Sequence, residues 1–360
     1  MKSERTNLLT PEKTALLATK TATLGFDGFI DSIQRVVRSK SASGTTYFNT
    51  LKEFGEYTVE RSAGNFSLEL HEAIKKPGGN MPILALAMAP WVKNVNCIGG
   101  MGFPTINPLF AAFPENCNLY SFGEPGSSTA LEFSDGKMIM GEMSNLNTIN
   151  WQRIADLIGI DKITDLFREA DLIGMVNWSE LDHASDIWRG IQRDILPRIS
   201  YATRPHLFFD LADCSKKSVE EITETLALIN EFTRWFDVTL GLNRNEAGIL
   251  YGAITHRPNP PTDMHVIGKE IFHAMNIHTL VIHFHATAIG WTKDECVARE
   301  APRISHPLLS TGAGDNFNAG YCLAVLSGMA LADSLDLGHA FASHYMQHGK
   351  SLAKKFMSPL

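Results

Sequence analysis

From Trp151 onward the chain alternates helical and strand segments. A helix near Trp151 to Ile158 precedes a strand over Asp171 to Val176; a helix over Ala184 to Leu196 precedes a strand over His206 to Leu211; a helix over Val219 to Phe232 precedes a strand over Val238 to Gly241. After the loop Arg257-Pro258-Asn259-Pro260-Pro261 come a helix over Val266 to Met275, a strand over Thr279 to Phe284 and two helices beyond Gly312. Strands separated by helices are not hairpins. They pair in parallel, and their connecting helices cover both faces of one sheet. The same rhythm is present earlier, with a helix opening at Thr10-Pro11-Glu12, a strand over Thr21 to Phe26, a helix over Ile83 to Met88 and a strand over Val95 to Ile98.

Two stretches fall outside that rhythm. Between Ser39 and Ala63 the chain is polar, and Thr45 to Phe48 and Tyr57 to Val59 read as short strands or loops. Leu131 to Met140 reads as a hairpin turning at Asp135-Gly136 and is expected to pair with the 39–63 stretch.

Composition excludes several classes. The chain has 360 residues with a formal net charge of −7, so it lacks the positive field that nucleic-acid binding requires. The longest apolar stretch, Pro82 to Val92, contains a second proline and falls far short of the roughly 20 residues of a membrane span, so no membrane partner is expected. No apolar leader is found in the first 20 residues, so the mature chain is expected to begin at Met1. Five widely spaced cysteines without a Cys-x-x-Cys pair argue against a disulfide framework and for a reducing cytoplasm.

The segment with the most chemistry is Thr311-Gly312-Ala313-Gly314-Asp315-Asn316-Phe317, followed by the apolar run Tyr321 to Leu326. Two glycines ahead of a helix expose first-turn amides at the positive end of the helix dipole, and that combination binds anions. Asp315 stands beside the anion site, where a carboxylate can take the proton of a hydroxyl attacking a phosphoryl group. The competing reading is an N-capped helix start without a ligand. Gly349-Lys350-Ser351 is no P-loop, because His344 occupies the place of its first glycine; Phe317 stands where a dinucleotide fingerprint needs its third. His283 with His285, and His344 with His348, are spaced to supply two metal ligands each, with no third ligand nearby in sequence.

With these motifs in view, the chain resembles the ribokinase family of PfkB carbohydrate kinases. The Gly312-Ala313-Gly314-Asp315 block matches that family's signature, which implies that its amides form the anion hole and Asp315 is the catalytic base. Asn243-Arg244-Asn245-Glu246 matches the family's Asn-x-x-Glu element, implying Mg²⁺ organised through water by Glu246 and Asn243. Asp31 matches the substrate-binding Asp after the first strand, with Asp27 competing for that role. Gly78-Gly79, followed by Asn80, matches the pair that contacts substrate hydroxyls; the alternative is a bare turn. Thr311 and His285 fall at the nucleotide, His285 in the place of a family glycine. Leu309 replaces the Asp of a monovalent-cation loop, Ile83 stands where the family has an Asn, and Phe103-Pro104-Thr105 replaces an Asp-containing segment.

The resemblance implies a single ribokinase-like α/β domain over residues 1–360, a three-layer sandwich around a central, mainly parallel sheet. It carries a small β lid built from about 39–63 and 118–145. The implied activity is transfer of phosphate from ATP to a hydroxyl of a small sugar or sugar-like acceptor, with Mg²⁺ as cofactor and a homodimer through lid strands. The alternatives are a nucleoside or vitamin-precursor kinase of the same fold, or a non-catalytic ligand-binding or regulatory member.

Overall fold

The computed structural model describes residues 8–354 except Pro258 and His306, and it leaves the side chains of Glu72 and Ala73 undescribed. The expectation about the start of the chain, and Pro258 of the predicted loop, therefore lie partly or wholly outside the described residues. In chain order, α1 (Pro11–Leu17) leads into β1 (Thr21–Gly25), β2 (Phe29–Ser41), β3 (Gly44–Tyr47), α2 (Leu51–Glu60) and β4 (Leu70–Gly78). Then come α3 (Asn80–Met88), β5 (Asn94–Gly99), α4 (Pro108–Ala111), β6 (Cys117–Ser121), β7 (Gly126–Phe133) and β8 (Gly136–Glu142). The alternating half contains α5 (Trp151–Ile158), α6 (Ile160–Arg168), β9 (Leu172–Val176), α7 (Ala184–Gly190), β10 (His206–Asp210), α8 (Val219–Phe232), β11 (Asp237–Asn243), α9 (Arg244–Thr255) and α10 (Met264–Ala274). The chain closes with β12 (Thr279–Phe284), β13 (Thr287–Trp291), β14 (Cys296–Glu300), α11 (Ala313–Leu326) and α12 (Leu331–His348).

Nine strands form the large sheet in the order β14-β13-β12-β11-β10-β9-β1-β5-β6, parallel from β12 through β6. Successive side chains point to opposite faces, so Phe208 joins the core beneath α3, α11 and α12 while Phe209 joins the core beneath α5 to α10. This is the expected three-layer α/β sandwich. The chain extends the sheet at one edge by an antiparallel hairpin, β13 and β14, after a two-residue turn at His285-Ala286.

A second, five-stranded sheet sits apart, in the order β3-β2-β7-β8 with β4 also paired to β2. Its extent differs from the two predicted segments. It begins at Phe29, whereas Cys117–Ser121 pairs with β5 in the large sheet. The hairpin turning at Asp135-Gly136 forms as expected, but its ladder runs along Phe29–Gln34, and it meets the 39–63 stretch at its turn. There Asp135 accepts from the Leu51 amide at 2.6 Å and caps α2. Tyr57 to Val59 lie in that helix rather than in a strand. Leu51, Phe54 and Tyr57 recur every three residues, and Phe54 and Tyr57 pack edge-on against Phe48, so packing overrides the β-propensity of Tyr-Thr-Val.

Candidate active site

In an open parallel sheet, ligands bind outside the carboxyl ends of the strands where the strand order reverses. Here that point is β1, flanked by β9 and β5, and four strand ends deliver polar side chains to it: Asp27 after β1, Asn177 after β9, Asp210 on β10 and Asn243 on β11. Asn177 and Ala212 have φ of 62° and 56°. Left-handed backbone is costly for residues with a side chain, and such strain is concentrated at functional sites.

The Gly-Gly pair is explained by the two aspartates it was read beside. A Cβ on Gly78 would overlap the Asp31 carboxylate, and one on Gly79, where φ is 87°, would overlap the Asp27 carboxylate. Gly78-Gly79 is therefore a place where backbone and two carboxylates approach closely, and more than a bare turn. Asp27 is fully buried and accepts from the amides of Asn80 and Met81, both at 2.8 Å, and from Asn177 Nδ2 at 2.7 Å. It ties the end of β1 to the start of α3. Burial raises its pKa to about 7 despite those donors.

Asp31 differs. It faces the cleft from β2, in a cross-strand row with Ser128 and Lys76, and accepts from Ser128 Oγ at 2.7 Å. Burial raises its pKa, and Ser128 and the lysines Lys76 and Lys137 oppose that rise. Asp31, Gly79, Asn80, Asn177 and Asp315 line one cavity of about 400 Å³.

Opposite Asp31 stands the start of α11. Gly312, with φ of 97°, is its N-cap; a Cβ there would fall 3.0 Å from the Tyr345 hydroxyl, so the turn requires glycine in both conformation and space. Asp315 sits in the first turn. Its pKa is raised well above the ordinary carboxylate value, first by burial and then by Asp210, Asp27 and Asp31, with Lys76 opposing. A carboxylate so placed is a stronger base than one in water.

Asn243 and Glu246 form a reciprocal cap on α9. Asn243 Oδ1 accepts from the Glu246 amide at 3.0 Å, and Glu246 Oε2 accepts from the Asn243 amide at 2.8 Å. The capping reading of this pair is thus correct as far as it goes. Glu246 is also buried beside Asp210, which raises the pKa of Glu246 after the dominant effect of burial itself. His285 lies at the β12–β13 turn with φ of 48° and an exposed side chain, away from the residues lining the cavity. A left-handed turn residue is where a glycine is favoured. Its neighbour His283 stacks on Phe317 of α11, with ring centroids 4.8 Å apart.

Sequence reasoning missed Asp210 and Asn177. Asp210 is buried, accepting from the Ala212 amide at 2.9 Å and Asn318 Nδ2 at 2.6 Å. Asn177, 2% exposed, donates its amide nitrogen to Asp27, and its Oδ1 is buried with no hydrogen-bond partner. The available signal was position: each is a polar residue that ends an apolar strand at the ligand-binding edge.

The family model for prokaryotic ketohexokinase matches residues 10–356. A ketohexokinase of Haloferax volcanii is 28% identical over 336 residues, covering 90% of this chain and 86% of the relative. A probable sugar kinase from Rhizobium etli superposes with a TM-score of 0.67 at 16% identity, covering 95% of this chain and 97% of the other. Ribokinase from Thermotoga maritima superposes with a TM-score of 0.58 at 12% identity, covering 94% and 98%. These likenesses confirm the ribokinase-like fold, and a match over nearly the whole chain settles its kinship: the chain belongs to the prokaryotic ketohexokinase family and is an ATP-dependent sugar kinase, a phosphotransferase with an alcohol acceptor.

Proposed function

We propose that the acceptor is a ketohexose and that Asp315 is the base that activates its hydroxyl. The observation that carries this reading is the placement of Asp315 in the first turn of α11, lining the same cavity as Asp31 and Asn177. Asp31 and the unpartnered Asn177 Oδ1 accept from two acceptor hydroxyls, Gly79 and Asn80 shape the floor, and Gly78 keeps room for Asp31. Asp27 is a structural carboxylate, since its oxygens already serve α3 and Asn177. The ketohexose assignment takes its support from the family and from the Haloferax relative.

In the reaction the acceptor oxygen forms a bond to the γ-phosphorus as the bond from that phosphorus to the ADP oxygen breaks. The hydroxyl proton passes to Asp315, and ADP leaves with the electron pair. The amides of Gly312, Ala313 and Gly314 face the charge that develops on the transferring oxygens. The nucleotide lies along the starts of α9 and α11, with Asn243, Glu246 and Thr311 beside its phosphates and the His285 turn at its border.

The residues fit Mg²⁺ held through water. Among the described residues no three His, Cys, Asp or Glu side chains converge as ligands, yet Glu246 is buried beside Asp210 and Asp213, whose charges add to the effect of burial in raising its pKa. Mg²⁺ usually keeps several waters and bridges carboxylates to phosphates. When bound it would neutralise nucleotide charge, and Glu246 and Asp210 would hold its water shell.

The small sheet serves as the lid over the acceptor. Its outer strand β8 turns Ile139 to the acceptor cavity and exposes Met138 and Met140 on the opposite face, where we place a homodimer contact. All five cysteines are free and four are buried, which supports a cytoplasmic, reducing location. Among the described residues no helix is long and apolar enough to cross a membrane.

The test is ADP release with ATP and Mg²⁺ across D-fructose, other ketohexoses, aldohexoses and nucleosides. The expected result is the highest kcat/KM with a ketohexose. A nucleoside that outperforms every sugar would overturn the assignment.

A further inference from the structure

Two lysines absent from the chemistry above reach Thr311, the residue immediately before Gly312. Lys76, on β4, donates to the Tyr345 hydroxyl at 2.7 Å, and that hydroxyl donates to the Thr311 carbonyl at 2.8 Å. Lys137, on β8, donates to Thr311 Oγ1 at 3.3 Å, and Glu132, its register partner on β7, accepts from the same hydroxyl at 3.5 Å.

The two are not equivalent. Lys76 is half-buried, sits in register with Asp31 and is pinned by buried Tyr345, so its ammonium holds the loop in place. Lys137 donates to a neutral hydroxyl at a longer distance, within the field of the Glu132, Asp315 and Asp31 carboxylates, and its strand lies at the exposed rim of the small sheet. A phosphate oxygen is a far stronger acceptor for an ammonium than a hydroxyl is, so this contact is one that a ligand would displace.

The surroundings call for such a cation. Asp315 feels the negative charges of Asp210, Asp27 and Asp31, opposed by Lys76, and an incoming phosphoryl group adds further negative charge. The loop leading into the anion hole brings no compensating charge at Leu309, which is 4% exposed and packs with Ile33, Ala130 and Tyr345. Fixed positive charge on the transferring oxygens is the main means by which phosphoryl transfer is accelerated.

We propose that Lys137 is a catalytic cation: it exchanges its contact with Thr311 for the oxygens of the phosphoryl group lying at the first turn of α11. It stays protonated throughout, while the hydroxyl proton goes to Asp315 and the bond to ADP breaks as the bond to the acceptor forms. The inference rests on the phosphoryl-transfer reading above. It adds that the small sheet supplies charge to the reaction as well as walls to the acceptor pocket.

The test compares Lys137→Met and Lys137→Arg with the unmodified chain, using D-fructose, ATP and Mg²⁺. Lys137→Met is expected to lower kcat by about 10²-fold, with the KM for sugar changed by less than about threefold. It is also expected to weaken inhibition by ADP with aluminium fluoride, a mimic of the transferring group. Lys137→Arg, which keeps the charge, is expected to retain kcat within about tenfold. The proposal is overturned if Lys137→Met keeps its kcat, if its loss lies in the sugar KM, or if Lys137→Arg falls as far as Lys137→Met. An unmodified protein that turns over no sugar would instead overturn the functional reading, and this inference with it.

Discussion

The two sheets meet across the cleft but are built on opposite rules. The large sheet buries its central strands on both faces, and its carboxyl ends present Asp27, Asn177 and Asp210, all less than a tenth exposed, in fixed hydrogen-bond networks. The small sheet carries an outer strand, β8, exposed along its whole length, and Lys137 on that strand reaches the loop before α11 through the Thr311 hydroxyl. The difference separates two tasks. On our proposal the edge of the large sheet, tied to α11 through Asp210 and Asn318, fixes where the proposed base Asp315 stands, to the accuracy phosphoryl transfer requires; the small sheet decides what is held against it.

Substitutions on the two sides should therefore fail differently. Replacing Asp31 by Ala removes the acceptor-facing carboxylate of the small sheet and leaves Ser128 without its partner. The KM for sugar should rise by about 10²-fold with a smaller change in kcat, the size expected when a site built to bind a hydroxyl loses its partner. Steady-state kinetics check this, and an unchanged KM would remove Asp31 from the pocket. Asn177→Ala sharpens the contrast from the rigid side. A buried unpartnered acceptor costs about 1–3 kcal/mol in the free protein, so removing it should raise the sugar KM by about tenfold without lowering the stability of the free protein through Oδ1. The lost bond to Asp27 works in the other direction, and sugar-dependent shifts in melting temperature separate the two. The smallest effect belongs to Met140→Ser, on the face of the exposed strand that points away from the acceptor cavity. It should leave kcat within about twofold while shifting sedimentation from dimer to monomer; a native monomer at every concentration would refute the dimer contact.

The same division marks what was legible in the sequence. The alternating half of the chain states its own fold, and α8 was read at its observed limits, Val219–Phe232; in the structure Ser218 and Glu221 form a capping box at its start. The block at the start of α11 was legible because Gly312, with φ of 97°, answers a backbone requirement that other residues meet poorly. The small sheet was read less well. Its pairing depends on contacts distant in sequence, such as Phe29–Gln34 against Gly126–Leu131, and a local β-propensity at Tyr57-Thr58-Val59 concealed α2. The β13–β14 extension was missed because its turn places His285 where glycine or asparagine would have announced a hairpin. Asn177, Lys76 and Lys137 carry no local motif. Their role comes from the strand ends, registers and loops that bring them together, which a single sequence does not display.

The central claim is that Asp315 is the base at a site the large sheet holds rigid. Its direct test is Asp315→Asn, measured for turnover over pH and, by calorimetry, for ATP and D-fructose binding. The raised pKa of Asp315 has a definite sign: protonated Asp315 is inactive, so kcat/KM of the native chain rises with pH through a midpoint above the ordinary carboxylate range. The account predicts that Asp315→Asn binds both ligands and loses at least about 10³-fold in kcat. Retention of most turnover, with the same pH midpoint, would contradict it.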